Sequence, residues 1–244
     1  MRKNIILLTV CLIIPFLIFS VLNIRHTSKR SISSPASAAA ATVSTKPVDY
    51  TTVYRNLKLD SAGLSEQAFS YAMKGYNALL NEGKLSNEDF ISIVDFSQDS
   101  RNKRFYLIDL KNGKIVMNTF VAHGRNSGLD KTENFSNVPE SAESSLGFYI
   151  TKDIYSGKHG RSLKIAGQDK GFNDNAEARA IVVHGADYVN AGRVNSGYMG
   201  RSLGCPALPV DQVAEAINYM KGGSVLFLYS PNENYLQHST ILNS

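Results

Sequence analysis

The chain has 244 residues, of which 43% are hydrophobic and 19% charged, an ordinary globular composition. Its formal net charge is +5, but much of the positive excess flanks an apolar segment near the N-terminus, so it indicates membrane targeting. No aromatic residues alternate with a basic cluster, which argues against a nucleic-acid partner, and no internal repeat is visible, which argues against a repeat array.

Residues 1–25 predict a signal peptide or an N-terminal membrane anchor. Arg2 and Lys3 precede an uncharged apolar run, residues 5–24, that is long enough to cross a bilayer. The nearest small-residue cleavage signal, Ala36–Ala38, lies well downstream, so cleavage and anchoring in the inner membrane both stay open. Either alternative places the remainder of the chain in the periplasm or another extracytoplasmic space.

Residues 26–49 are rich in Ser and Ala and predict a disordered linker. An N-terminal helical segment, residues 50–87, follows and is expected to pack on the main domain. Within it, the spacing of apolar residues over 64–81 predicts one amphipathic helix with Gly83 as its stop signal.

Residues 88–231 form the predicted main domain, and residues 232–244 are assigned to a C-terminal tail. The predicted strands span residues 91–96, 104–110, 114–122, 147–151, 162–167, 180–186 and 224–230. Asn112-Gly113 predicts a hairpin between the second and third strands, and residues 210–220 predict a short helix. Helical segments are missing between most strands, so the sequence predicts a mainly β fold, a mixed barrel or sandwich with a few short helices.

Cys205 is the one cysteine outside the apolar N-terminal run. Outside the cytoplasm, an unpaired cysteine indicates a reactive thiol or an intermolecular disulfide. A lone cysteine is more often a buried small hydrophobe, and a lone histidine after a strand is more often structural. Here, His184 ends a predicted strand and can take the thiol proton, while Gly204 leaves backbone N–H groups open to an oxyanion. Together they favour a nucleophile, and one cysteine with scattered histidines does not give zinc-ligand spacing.

His184-Gly185 and the segment Ser202-Leu203-Gly204-Cys205 resemble the signature of L,D-transpeptidase (YkuD-type) catalytic domains. Within that family, the chain is most similar to the murein L,D-transpeptidase subgroup with a GRSxGCPA motif. The resemblance covers roughly residues 88–230 and implies the β-rich fold of the L,D-transpeptidase type. Further similar stretches are residues 121–128, 144–149, 157–163 and 171–189.

The resemblance implies a cysteine enzyme that acts on peptidoglycan stem peptides and needs no cofactor or metal. Cys205 would attack the bond between the third residue and D-Ala of a tetrapeptide stem, and an amine of a second stem would accept the acyl group in a 3→3 crosslink. His184 would be the base, oriented by Gly185 or Ser202, and the N–H groups of Gly204 and Cys205 would form the oxyanion hole. A peptidoglycan-linked lipoprotein is a further candidate partner.

The sequence departs from the family pattern near the cysteine. Leu203 stands where the family often has His, and Pro206-Ala207 follow where it often has an Arg. The candidates to supply the missing polarity are Arg201, Arg193 and His159, and the candidates for substrate binding are Arg201, Tyr188 and His159. Two other functions stay open: an L,D-carboxypeptidase or endopeptidase that uses water as acceptor, and a non-catalytic cell-wall binding domain.

Overall fold

The structure is a computed structural model and describes residues 50–244. The predicted signal or anchor segment and the linker, residues 1–49, lie outside the described residues. The elements in chain order are α1 (Tyr50–Asn56), α2 (Glu66–Asn81), β1 (Phe90–Asp95), β2 (Phe105–Asp109), β3 (Lys114–Thr119), β4 (Gly147–Gly157), β5 (Gly160–Gly167), β6 (Val182–Ala186), β7 (Ala207–Pro209), α3 (Val210–Met220), β8 (Val225–Tyr229) and α4 (Glu233–His238). None of the helices in residues 50–244 has the length and apolar character needed to cross a membrane.

The eight strands form one sheet in the order β3-β2-β1-β8-β4-β5-β6-β7. β1 runs parallel to β8 and β6 runs parallel to β7, whereas the other neighbours are antiparallel. A β-bridge from Ala122, just after β3, to Ala207 in β7 brings the two edges of the sheet together. The sheet is therefore a nearly closed barrel, which confirms the predicted mainly β fold with few short helices.

The predicted hairpin at Asn112-Gly113 is present, and Gly113 adopts a φ of +60°, which glycine tolerates at no steric cost. β4 is longer than expected and continues to Gly157, where it turns directly into β5. The tip of this second hairpin carries His159. β7 was not predicted from the sequence, since it has only three residues and forms by pairing with β6 and with Ala122, which is distant in the sequence.

α2 packs its apolar face against the sheet next to β1 and β8. The hydroxyl of Ser65 caps the helix by accepting the N–H of Ala68 at 3.2 Å. Gly75 allows close approach to the sheet, because a Cβ there would lie 2.0 Å from Cζ of Phe148. The helical segment thus shares the core of the β domain.

Residues 232–244, assigned to a tail from the sequence, contain α4 and reach the core through the buried Tyr235. The carboxylate of the buried Asp169 accepts the backbone N–H of Phe148 at 2.7 Å and the Tyr235 hydroxyl at 3.2 Å. It also accepts the Ser239 hydroxyl. One buried carboxylate therefore fastens the C-terminal segment to β4.

α3 begins directly after β7 and packs on β6. Gly185 in β6 permits this contact, since a Cβ there would lie 2.8 Å from Cγ1 of Val213. In the parallel pairing of β6 with β7, His184 lies opposite Ala207. The helix therefore backs the strand that carries His184 and the strand that follows Cys205.

Candidate active site

A cleft of about 460 Å³ brings together most of the residues predicted from the sequence. Its lining contains the predicted site residues Cys205, His184, Ser202, Arg201, Tyr188 and His159. It also contains Arg125, Lys158, Arg179 and Leu203. Gly185 and Gly204 do not line the cleft, and they contribute through their backbone groups.

Cys205 lies in the loop that leads into β7, and its side chain is half-buried. The backbone N–H of Val182 donates to Sγ at 3.4 Å, and the carbonyl of Ala180 lies 3.9 Å from Sγ. Burial raises the pKa of the Cys205 thiol, and the Val182 hydrogen bond and the charge of Arg179 act in the opposite direction. The resting thiol is therefore protonated at neutral pH and needs a base before it can attack.

His184 is buried in β6, and its Nδ1 lies 2.9 Å from the carbonyl oxygen of Gly185. A carbonyl oxygen only accepts hydrogen bonds, so Nδ1 carries the proton and Nε2 has a free lone pair. Burial lowers the pKa of His184, and the hydrogen bond to Gly185 partly offsets this. The imidazole is thus neutral at neutral pH and able to accept a proton at Nε2.

The thiol of Cys205 makes no hydrogen bond to His184 in this structure, although both side chains line the same cleft. Proton transfer between them therefore requires a change of side-chain rotamer or a bridging water. Catalytic hydrogen bonds commonly tighten only when substrate is bound. The arrangement accordingly places the candidate nucleophile and the candidate base in one cleft without a hydrogen bond between them.

A second imidazole covers the first. The ring of His159 stacks on the ring of His184 with 4.2 Å between centroids and an interplanar angle of 22°. His159 lies at the tip of the β4–β5 hairpin, whereas His184 lies in β6. Leu203, two residues before Cys205, is 59% exposed at the cleft and has no polar side-chain atom. Of the residues proposed from the sequence to supply polarity at the site, His159 is the one whose ring stacks on His184.

Ser202 organises the loop of the cysteine, and its hydroxyl makes no hydrogen bond to His184. Its Oγ accepts the N–H of Gly204 at 3.0 Å and donates to the carbonyl of Cys205 at 2.6 Å. Of the two N–H groups predicted as oxyanion donors, that of Gly204 therefore already donates to a side chain of the same loop. Within residues 50–244, the N–H of Cys205 has no hydrogen-bond acceptor.

Gly204 is required for a conformational reason that the sequence analysis did not give. Its φ is +124°, in the region that favours glycine. A Cβ at this position would lie 2.8 Å from the carbonyl oxygen of Glu143 and 3.0 Å from Cδ1 of Ile181. The glycine before the cysteine therefore fixes the shape of the loop.

Arg104 and His123 form a buried pair that contacts the cysteine loop through the backbone of His123. This pair was not predicted from the sequence. Both side chains are fully buried, and Nη2 of Arg104 lies 2.7 Å from Nδ1 of His123. Since guanidinium only donates, Nδ1 accepts, and Nε2–H donates to the carbonyl of Gly128 at 3.2 Å. The backbone carbonyl of His123 in turn accepts the N–H of Ser202 at 2.8 Å. Burial, with the neighbouring charge of Arg104, lowers the pKa of His123 to about 4.

Arg179 is a further residue near the thiol that was not predicted from the sequence. Its guanidinium donates to the backbone carbonyls of Ser136 and Glu143, both at 2.6 Å, and its charge lowers the pKa of Cys205. It thus places a positive charge near the thiol, which the sequence analysis had sought from other residues. The only sequence signal was an arginine directly before an apolar strand.

The remaining predicted residues lie further along the cleft wall. Arg201 donates through Nη1 to the carbonyls of Arg125 at 2.9 Å and Gly128 at 3.2 Å. Tyr188 packs against Gly200, where a Cβ would lie 2.3 Å from its ring, and burial raises its pKa to about 12. Arg193 does not line this cleft. In the described part of the chain, no group of three or more His, Cys, Asp or Glu side chains is placed to hold a metal ion.

The model of the L,D-transpeptidase catalytic domain family matches residues 60–229. Similar solved structures include an L,D-transpeptidase from Mycobacterium smegmatis, at 12% identity and a TM-score of 0.36, with 58% of this chain and 59% of that chain covered. L,D-transpeptidase 3 from Mycobacterium tuberculosis, in complex with a faropenem-derived adduct, has 13% identity and a TM-score of 0.39, with 58% and 60% covered. An L,D-transpeptidase from Xylanimonas cellulosilytica has 14% identity and a TM-score of 0.34, with 73% and 93% covered.

The chain spans less than two thirds of the length of the two mycobacterial structures. None of the curated proteins compared with the sequence matches it. The family model covers well over half of the sequence, including the loop and strand that carry Cys205 and His184. This chain therefore belongs to the L,D-transpeptidase catalytic domain family.

Proposed function

We propose that this protein is a murein L,D-transpeptidase with Cys205 as its nucleophile and His184 as its general base. The observation that carries the proposal is their joint presence in one cleft, with the Nδ1 of His184 committed to Gly185 and its Nε2 available. Family membership supplies the reaction class. The proposed donor is a tetrapeptide stem of peptidoglycan, cleaved between its third residue and D-Ala.

In the first half-reaction, Nε2 of His184 takes the thiol proton as Sγ of Cys205 bonds to the carbonyl carbon of the third residue. The oxygen of that carbonyl gains negative charge, and the free N–H of Cys205 is the proposed donor to it. The C–N bond to D-Ala then breaks, and His184 returns the proton to the leaving amine. The product is a thioester on Cys205 together with free D-Ala.

In the second half-reaction, an amine of another stem attacks the thioester carbon and loses a proton to His184. The C–S bond breaks, the thiolate recovers the proton, and a 3→3 crosslink forms. The raised pKa of the thiol is consistent with this order of steps, because a poorly stabilised thiolate forms only when a base takes its proton. The lowered pKa of His184 keeps the imidazole unprotonated and ready at neutral pH.

The same thioester also accommodates water as the acceptor, which would make the protein an L,D-carboxypeptidase or endopeptidase. Incubation of the purified protein with tetrapeptide-stem muropeptides separates the two by mass spectrometry of the products. The proposal predicts 3→3 dimers and free D-Ala. Tripeptides without dimers would assign the hydrolase, and unchanged tetrapeptides would refute the enzymatic proposal and favour a non-catalytic binding domain.

A cell-wall substrate implies an extracytoplasmic location, which agrees with the apolar run predicted as a signal peptide or anchor. We propose that the linker of residues 26–49 lets the domain reach its substrate from the inner membrane if the signal is retained. A peptidoglycan-linked lipoprotein remains a proposed alternative partner. Fractionation of cells that express the tagged full chain tests the location, and a cytoplasmic protein would contradict it.

A further inference from the structure

Next to the cleft lies a basin of about 320 Å³ whose walls are rich in arginine. This arginine basin is lined by Arg125, Tyr188, Arg193, Tyr198, Gly200 and Arg201. It shares Arg125, Tyr188 and Arg201 with the cleft of Cys205, so the basin and the cleft are adjacent. A peptide as long as a stem, bound at the thiol, would therefore pass close to the basin.

Tyr198 holds two of the guanidinium groups in place. Cζ of Arg193 lies 5.5 Å from the centre of the Tyr198 ring, and Cζ of Arg201 lies 5.0 Å from it. Arg201 is held further by its bonds to two backbone carbonyls. The basin thus presents cations that are already oriented.

These cations have no acidic partner. Neither the basin nor the cleft has an Asp or Glu in its lining. Among residues 50–244, no carboxylate lies within 4.0 Å of the side chains of Arg125, Arg193 or Arg201. The Nε of Arg193 is moreover buried and donates to no acceptor in the described part of the chain.

A buried guanidinium N–H without an acceptor is costly, because water no longer satisfies it. A carboxylate matches the planar fork of donors and forms charge-assisted hydrogen bonds, which are about twice as strong as neutral ones. A carboxamide has the same shape as a carboxylate, but it is uncharged and offers a single acceptor oxygen to the guanidinium. The basin should therefore distinguish a carboxylate from its amide.

Resting on the function proposed above, we propose that the arginine basin binds a free carboxylate of the peptide stem while the scissile bond lies at Cys205. The protein would then select stems whose internal carboxylates are free over stems in which they are amidated. Arg193 would be the main contact, since its guanidinium lines the basin over Tyr198 and has no hydrogen-bond partner among residues 50–244, and Arg125 and Arg201 would add positive charge.

The test measures binding to the Cys205→Ala protein, which cannot turn over the ligand. Two tetrapeptide stems are compared by calorimetry: one with free internal carboxylates, and the same peptide with those groups converted to carboxamides. We expect the free-carboxylate peptide to bind about tenfold more tightly, and salt to weaken its binding more than that of the amide. Adding Arg193→Gln should remove most of this preference and leave the amidated peptide unaffected.

Arg55→Gln is the matched control, because Arg55 is exposed on α1 and lies outside both hollows. It should change neither affinity. Equal affinity for the two peptides, or an equal loss for both on Arg193→Gln, would overturn the inference. Turnover assays on the unmodified protein distinguish the two proposals. Discrimination in binding without turnover refutes only the proposed function, and turnover without discrimination refutes only the role of the basin.

Discussion

His123 lies fully buried beneath the Cys205 loop and stays neutral in the folded protein. Its pKa is lowered from 6.5 to about 4 on folding, so the unfolded chain binds the extra proton first as the pH falls. The contribution of neutral His123 to the free energy of unfolding is therefore fully present above pH 6.5 and is lost as the pH falls from there toward about 4. Between pH 7 and pH 5, this one group should lower the free energy of unfolding by about 2 kcal/mol.

Urea unfolding at pH 7 and pH 5 measures this loss, with His123→Gln as the reference. Glutamine retains one acceptor for Arg104 and one donor for the carbonyl of Gly128, but it does not titrate. Other titrating groups contribute to both proteins and cancel in the comparison. The parent should lose about 2 kcal/mol more than the variant over this range. Equal losses in the two proteins would refute the placement of a neutral His123 beside Arg104.

Ser202→Ala should remove the acceptor of the buried Gly204 N–H and release the carbonyl of Cys205, at a cost of about 1–3 kcal/mol in urea unfolding. It should also lower kcat more than it raises KM, and an unchanged kcat would contradict the loop-fixing role. The rate of Cys205 alkylation by iodoacetamide should rise about tenfold per pH unit from pH 6 to 8, because burial raises the thiol pKa and His184 is neutral. A rate independent of pH over that range would reveal a resting thiolate–imidazolium pair. Arg179→Gln should slow alkylation at pH 8 severalfold by raising the thiol pKa further, whereas Arg179→Lys should largely preserve the rate.

The strands and both longer helices were predictable because their signals are local. Each signal acts within a few residues of the element that it defines. These signals are the apolar runs, the turn at Asn112-Gly113 and the stop at Gly83. β7 carried no such signal, since its three residues become a strand only by pairing with β6 and with Ala122. The length of β4 likewise depends on the partner strand β5.

In the candidate site as well, features with a local sequence signal were predictable and features that depend on distant contacts were not. The local sequence around Cys205 and His184 was enough to propose them, and the structure places both in one cleft with the carbonyl of Gly185 beside the imidazole. Arg179 was not predictable, because its position depends on the carbonyls of Ser136 and Glu143, which lie between two predicted strands in a segment with no helix or strand signal. The hydrogen bond from the N–H of Gly204 to the hydroxyl of Ser202 was not predictable, since it depends on the conformation of the whole loop.

The central claim is that Cys205 carries the acyl group of the stem. Intact-protein mass spectrometry after incubation with a tetrapeptide stem tests it directly, with peptide mapping to locate the adduct. We predict a mass increase equal to the tripeptidyl acyl group, located on Cys205, absent from Cys205→Ala and strongly slowed in His184→Ala. Release of D-Ala by the Cys205→Ala protein, or an adduct on another residue, would contradict the account.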